Sequence, residues 1–388
     1  MEVDIVIEQR FYRCENGYFW TDNAFSYEFW KRYLVSFSSV NIVARVKQVH
    51  TVPKVWKRVD GRNVGFVCLP HYIGPVGFIK TLPSLVSTLR SRGAKHRKVI
   101  CRIPSILSAM YLWFSKPHVS VYGAEVVGDP ADMFDKGASQ SPLRPFYKWL
   151  FVGLLKKQCH DAYAISYVTQ FSLQKRYPPN PNSFDTHYSS IQLYPEDFVE
   201  RKVYPFDDPL RLVCVGTLSQ PYKGCDLMLK AIAELNKKNI QTSLTWIGGG
   251  ALLTEMMEMA VQLGIDKQVN FMGNVSNREE IREVLDNSNV FVLPSRQEGL
   301  PRALIEAMAR SLVCIATDVG GVKELIDDAY IIPKDNIGQL VSCLQSVQQL
   351  TEDACLEISY ANYTKSQQYS DSVLMQRRKS LFETLIGS

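Results

Sequence analysis

The run from Ser295 to Leu325, SRQEGLPRALIEAMARSLVCIATDVGGVKEL, sets one glutamate before a Gly-Leu-Pro turn, a second inside the helical pattern that follows, and a Gly-Gly pair one strand later. Carboxylates accept hydrogen bonds from pairs of hydroxyls, so Glu298 and Glu306 suit a polyol ligand. Pro301 is a good first residue for a helix, and the free amides around Gly299, Leu300 and Pro301 suit a phosphate at a helix start. The strand pattern Leu210–Val215 leads to Gly216, where backbone can approach a ligand closely, and then to Lys223, which can neutralise a diphosphate. Three more glycine-bearing loops follow strand patterns: Trp246–Gly250 with Gly248, Gly273-Asn274-Val275, and Asp318–Gly321 leading to Glu324. Singly, each has a plain structural explanation: a helix-start acid, a surface lysine, a tight turn. Together, on one edge of one sheet, they favour a ligand that carries sugar hydroxyls, a diphosphate and a ribose.

The elements that must hold these loops read as alternating strands and helices. Candidate strands are Val3–Ile7, Val40–Val46, Val64–Leu69, Lys98–Arg102, His118–Tyr122 and Ala162–Tyr167, then Leu210–Val215, Ser243–Ile247, Val269–Met272, Val290–Leu293, Val313–Thr317 and Tyr330–Ile332. Uniformly apolar strands separated by helical patterns predict α/β domains with parallel sheets covered on both faces. The 388 residues exceed one ordinary core and fit two doubly wound domains, at 1–205 and 206–370, with 371–388 a helix crossing back to the first. The Pro- and Asn-rich stretch Tyr177–Leu210 reads as the interdomain linker region. Ligands in such folds bind at the carboxyl ends of the strands, here in the cleft between domains.

Charge and cysteine content narrow the classes. The first 200 residues carry 25 bases and 16 acids, the remainder 19 and 23, so the net +5 hides a basic first half. Such a field attracts phosphates, anionic lipid surfaces or nucleic acid; no nucleic-acid-binding motif accompanies it, which favours the lipid-phosphate reading over a nucleic-acid one. Nine cysteines, none spaced as CxxC, read as reduced thiols of a cytoplasmic protein. No Cys/His cluster predicts a metal site. No apolar run is long enough to span a membrane, and the acidic start MEVDIVIEQR is unlike a signal peptide.

The motifs Gly216, Lys223–Asp226, Trp246–Gly250, Phe271–Gly273 and above all the spacing of Glu298 and Glu306 resemble the retaining GT-B glycosyltransferases of family 4, with specific matches over roughly Leu210 to Pro333. The resemblance implies two facing Rossmann-like domains and transfer of a sugar from a nucleotide-diphosphate donor, of UDP or GDP type, with retention at the anomeric carbon and no obligatory metal or other cofactor. It implies that Glu298 holds sugar hydroxyls, Glu306 the ribose, Lys223 the diphosphate, and the backbone near Asn274 and Val275 the base. One position departs: Thr217 stands where the family usually has arginine. Arg296, Arg302 or a base of the first domain could supply the missing cation.

The first domain then binds the acceptor. The loop after His118–Tyr122 offers Glu125 and Asp129 to orient an acceptor hydroxyl or steady positive charge at the reacting carbon; Asp129-Pro130 reads equally well as a turn. His71 and Arg102 follow strands and are further candidates for contact with the acceptor. The aromatic stretch RFYRCENGYFWTDNAFSYEFWKRYL could stack on a sugar, grip a lipid, or form a helix packed by its own rings. The expected activity is transfer of a hexose or hexosamine to a glycan acceptor carried on a polyprenyl diphosphate at the inner membrane face, as in bacterial O-antigen, capsule or exopolysaccharide assembly. A soluble small-molecule acceptor, or a scaffold that binds nucleotide sugars without turnover, are the alternatives.

Overall fold

A computed structural model describes residues 1–93, 97–115, 121–134, 142–204 and 209–388. The first sheet holds β1 (Glu2–Cys14), β2 (Phe19–Thr21), β3 (Ser39–Val49), β4 (Lys57–Arg58), β5 (Val64–Pro70), β6 (Lys98–Ile103), β7 (Gly123–Val126), β8 (Ala164–Tyr167) and β9 (Phe184–His187). Its parallel body runs β5-β3-β1-β6-β7-β8-β9. The second sheet holds β10 (Leu210–Val215), β11 (Thr242–Ile247), β12 (Val269–Gly273), β13 (Val290–Leu293), β14 (Val313–Thr317) and β15 (Ile331–Ile332), in the order β12-β11-β10-β13-β14-β15, all parallel. In each sheet the order reverses beside the first strand, β1 against β6 and β10 against β13, which opens a crevice at the carboxyl ends there.

The second domain follows its sequence pattern closely; the first departs from it in three places. β1 runs on to Cys14 and turns back as an antiparallel hairpin onto β2 and β4, so Arg10–Cys14 belong to a strand. The rest of the aromatic stretch forms the short helix Tyr27–Lys31 and buries Phe29, Trp30, Tyr33 and Phe37 in the core, the packed-helix alternative. The expected strand His118–Tyr122 is displaced: the strand is β7, Gly123–Val126, while 118–120 lie outside the described residues. Glu125 is therefore a buried strand residue and not a loop group.

The expected linker Tyr177–Leu210 begins inside the first domain, since Phe184–His187 is β9 of its sheet; the described residues from Tyr188 to Tyr204 form a packed tie between domains. Val199 donates to the carbonyl of Ala309 at 2.9 Å, and the Arg201 guanidinium caps the carbonyls of Leu285, Ser288 and Arg310 at 2.9–3.1 Å. The expected boundary at 205/206 lies outside the described residues. The terminal helix Asp371–Ile386 packs on the first domain, with Phe382 5.3 Å from the Tyr33 ring and Leu374, Leu381 and Leu385 fully buried. Each such apolar side chain contributes roughly 1.5–3 kcal/mol, enough to fix the helix there.

Candidate active site

The loops after β10 and β13 meet where the strand order of the second sheet reverses. Lys223 Nζ donates to Glu298 Oε1 at 2.6 Å, and Ser295 Oγ donates to the same oxygen at 2.7 Å. The lysine side chain is 18% exposed and the glutamate 10%, so the pair sits in a partly dry crevice. Glu298 Oε2 accepts nothing from the described residues and is open to a hydroxyl. Beside it, the amide N–H groups of Gly299 and Leu300 donate to no group among the described residues, although Leu300 is only 8% exposed. A buried backbone donor is almost always paired, so the unpaired Leu300 amide, with the partly exposed Gly299 amide next to it and a carboxylate and an ammonium at hand, marks a place shaped for a ligand with hydroxyls and anionic oxygens.

Two glycines make this approach possible. Gly224, at φ 72°, allows the Lys223 loop to pass under the next strand end; a Cβ there would lie 2.0 Å from the carbonyl oxygen of Pro294. Gly320, at φ 53°, does the same for the loop after β14, where a Cβ would meet the Gly299 oxygen at 2.3 Å. The other loops join the rim: Gly248 donates to Gly273 O at 2.8 Å, and Gly249 to Asn274 Oδ1 at 2.9 Å. Gly216 lies against the Lys223 side chain. Val275 packs on the same core cluster as Leu300. The structure thus brings Gly216, Thr217, Lys223, Gly248, Asn274, Glu298, Gly299, Leu300 and Pro301 to one edge.

The cation supply differs from expectation. Arg296 is not spare: its Nη1 and Nη2 hold the Asp226 carboxylate, both at 2.8 Å, and Nε holds Asp335 at 2.7 Å. This fork ties the Glu298 loop to the helix start at Asp226, and Asp226, though burial works against it, is held below the usual carboxylate range by Arg296. Arg302, on the first turn of the helix Arg302–Ala309, is exposed. Thr217, where an arginine was expected, hydrogen-bonds through Oγ1 to Gly249 O at 3.2 Å and to Ser219 Oγ at 2.9 Å. It braces the rim.

Glu306 lines a separate small cavity with Arg278, Arg282 and Arg310, away from the Lys223–Glu298 pair. Burial pushes its carboxyl above the ordinary value against the pull of Arg302 and Arg278. A carboxyl raised in the folded state favours folding below its unfolded pKa and loses that contribution as pH rises through its folded pKa. Glu306→Gln therefore raises stability at pH 7–8 and changes it little at pH 4; thermal melts at the two pH values measure this.

In the first domain the expected acid candidates are occupied. Glu125 accepts from the hydroxyls of Tyr33 (2.8 Å) and Tyr188 (2.9 Å) and pairs with Arg102. Asp129 caps the short helix Pro130–Met133 through Ala131 N at 2.7 Å and also holds Arg176 and the Tyr177 hydroxyl. Both anchor the scaffold, and Asp129-Pro130 is a helix start and not the turn offered as the alternative. His71 sits at the end of β5, where burial and then Lys47, Arg10 and Arg45 lower its pKa and favour neutral imidazole. One group was singled out in the sequence without the role the structure gives it. Glu324, 8% exposed, accepts the amides of Gln170, Phe171 and Ser172 at 2.5, 2.9 and 2.6 Å, a carboxylate of the second domain capping a helix start of the first. Only its place after the Gly-Gly pair hinted at a task.

Comparison with known proteins bears on the second domain and on the fold. Residues 196–364 match the family "Glycosyl transferases group 1". The chain is 26% identical over 341 residues, 86% of its length and 84% of the relative's, to Protein CapJ of Staphylococcus aureus. It is 23% identical over 198 residues, 48% of each chain, to the putative colanic acid biosynthesis glycosyltransferase WcaL of Salmonella typhimurium, so it spans about half of that relative. The solved sucrose-phosphate synthase of Thermosynechococcus elongatus superposes over 100% of this chain and 99% of its own with a TM-score of 0.71 at 14% identity, a likeness of fold. With the crevice at the turning point of the second sheet, these matches liken residues 196–364 to the glycosyl transferases group 1 family, support glycosyltransferase activity, and give the chain the two facing Rossmann-like domains of the GT-B fold.

Proposed function

We propose that the protein transfers a hexose or hexosamine, with retention, from a UDP- or GDP-sugar to a glycan acceptor on a polyprenyl diphosphate, in assembly of a bacterial surface polysaccharide at the cytoplasmic face of the membrane. The observation that carries the donor reading is the unpaired Gly299 and Leu300 amides beside the Lys223–Glu298 pair. Lys223 would turn from Glu298 to the diphosphate, while Glu298 Oε2 and the two amides take the sugar and its phosphate. Asn274-Val275 would hold the base; Glu306, expected at the ribose, lines a separate cavity and takes no part in this scheme. The bond from the anomeric carbon to the phosphate oxygen breaks, the acceptor oxygen bonds to the same face of that carbon, and its proton passes to the departing phosphate. With the Glu125 and Asp129 carboxylates committed elsewhere, the phosphate itself is the base this site offers. No metal or other cofactor enters this scheme.

The relatives' names support the polysaccharide context: WcaL is described as acting in colanic acid biosynthesis. A lipid-borne acceptor is supported by the surface of the first domain. Exposed Ile73, Val76 and Ile79 lie at the start of the helix Gly74–Gly93, and exposed Phe146 and Trp149 at the start of the helix Arg144–Asp161. Both helices cross back from a parallel strand to the next, so their starts lie toward the carboxyl edge of the sheet, with Lys80 and Lys148 beside these residues along the chain. Apolar side chains rimmed by lysines suit an anionic bilayer surface. Among the described residues no helix is long and apolar enough to cross a membrane.

Thermal shift against a panel of nucleotide sugars tests the donor reading. One nucleotide class stabilises the protein, by about 2.7 kcal/mol at a hundred times its dissociation constant, and Lys223→Met weakens that nucleotide about tenfold. No response to any nucleotide would overturn the proposal. A response without hydrolysis or transfer would leave a binding scaffold. Vesicle binding that weakens with salt separates a membrane acceptor from a soluble one.

A further inference from the structure

Arg32, Arg102 and Arg378 come from distant parts of the chain: the end of the aromatic helix, the end of β6 and the terminal helix. They line one cavity, at 6%, 8% and 1% exposure. The single carboxylate there, Glu125, is paired with Arg102 and two tyrosine hydroxyls. Arg32 and Arg378 reach only the carbonyls of Ser190, at 3.5 Å, and Ser189, at 2.6 Å, and the ring faces of Phe29 and Tyr188. Arg32 Nε, Arg102 Nε and Arg378 Nη1 are buried N–H donors without a partner. Burial, and then the charge of Arg378, pushes Arg32 down to about 10.

Two surplus guanidinium charges in a dry cavity cost several kcal/mol each unless an anion joins them. The cavity wall includes Val126 and Val127 at the end of β7, and the Val127 oxygen lies 3.4 Å from where a Cβ on Gly299 would sit, so the cavity backs onto the loop that carries Glu298. It is narrow, with room for about one water-sized atom, so a single oxygen of an anion can enter between the guanidinium groups and a sugar ring cannot.

We infer that Arg32, Arg102 and Arg378 form an oxyanion subsite for a phosphate or carboxylate group carried by the acceptor. The inference rests on the transfer reading above and adds the acceptor's charge. A phosphate would come from a lipid diphosphate, a carboxylate from an acidic sugar; the guanidinium forks serve both in the same way.

The test is a thermal-shift titration of the full chain with sodium phosphate, sodium glucuronate and, at matched ionic strength, sodium chloride. Phosphate or glucuronate stabilises the protein beyond chloride, and the responding anion identifies the source. Arg32→Met binds that anion about tenfold more weakly, the loss of a charge-assisted contact. Its melting temperature without anion stays level or rises, because an uncompensated buried charge is gone. Lys223→Met keeps the anion response, which separates this subsite from the donor site. Should Arg32→Met not fold, Arg32→Lys, which keeps the charge and loses the fork, shows the same weakening. No response to either anion overturns the inference, as does an unchanged response in the arginine variants. A protein that answers to nucleotides and not to these anions refutes this inference alone; one that answers to no nucleotide refutes the transfer reading.

Discussion

Glu298→Gln is expected to lower sugar transfer by about 10²–10³-fold, the usual effect of removing one preorganised charged group from a reaction centre. The carboxylate has two tasks. Oε1 holds Lys223 and Ser295, and Oε2 faces the crevice. Glutamine keeps the size and one acceptor, and can still take the Ser295 hydroxyl. It cannot present an anion to Lys223, nor accept hydroxyl hydrogen bonds on both free positions. Most of the loss should fall on kcat, because the charge that develops on the anomeric carbon is felt only in the transition state. Both partners are partly exposed, so stability should change by no more than about 1–2 kcal/mol. Steady-state kinetics with a melting curve on the same preparation reads both; equal rates in variant and wild type would remove Glu298 from the chemistry.

Glu324→Ala is expected to be the most destabilising of the changes considered, by about 2–4 kcal/mol, since charged hydrogen bonds are worth roughly 1.5–3 kcal/mol and do not add fully. Three amides from Gln170 to Ser172 converge on this one carboxylate. Its removal leaves them without an acceptor and takes the negative charge from the start of the helix Ser172–Arg176. The contact joins the two domains at the rim of the cleft, where Gly321 donates to Gly299 O at 2.7 Å. Its loss should therefore also loosen closure and widen the solution envelope in small-angle scattering. Glu324→Gln, which keeps one acceptor oxygen, should lose about half as much. An alanine variant with the wild-type melting point and scattering curve would show that the clamp contributes nothing.

The second domain was legible because its physics is local. β10, β13 and β14 match the apolar runs Leu210–Val215, Val290–Leu293 and Val313–Thr317 at both ends, since strands buried on both faces must be apolar throughout. The site loops inherit their positions from those strand ends, so Lys223, Glu298 and the glycines could be placed together from spacing alone. The first domain was less readable because its partners lie far apart in the chain. β7 has Glu125 in its middle, a charge that reads as loop until Tyr33, Arg102 and Tyr188 close around it from 92, 23 and 63 residues away. β1 carries Arg10 and Arg13 in a two-faced hairpin and breaks the apolar pattern. Arg296 reads as a free cation until the fold brings Asp226 to it across 70 residues. The arginine cavity is the extreme case, because Arg378 reaches Ser189 only through the return of the terminal helix.

The central claim is that an activated sugar lies at the turning point of the second sheet, its diphosphate on Lys223 and the Gly299 and Leu300 amides, its hydroxyls on Glu298. A crystal structure of the protein with the nucleotide sugar that stabilises it most tests this directly. The account predicts phosphate oxygens within hydrogen-bond distance of Lys223 Nζ and those two amides, with Glu298 turned onto the sugar. A nucleotide bound elsewhere, with the Lys223–Glu298 pair intact and both amides still unpaired, would contradict it.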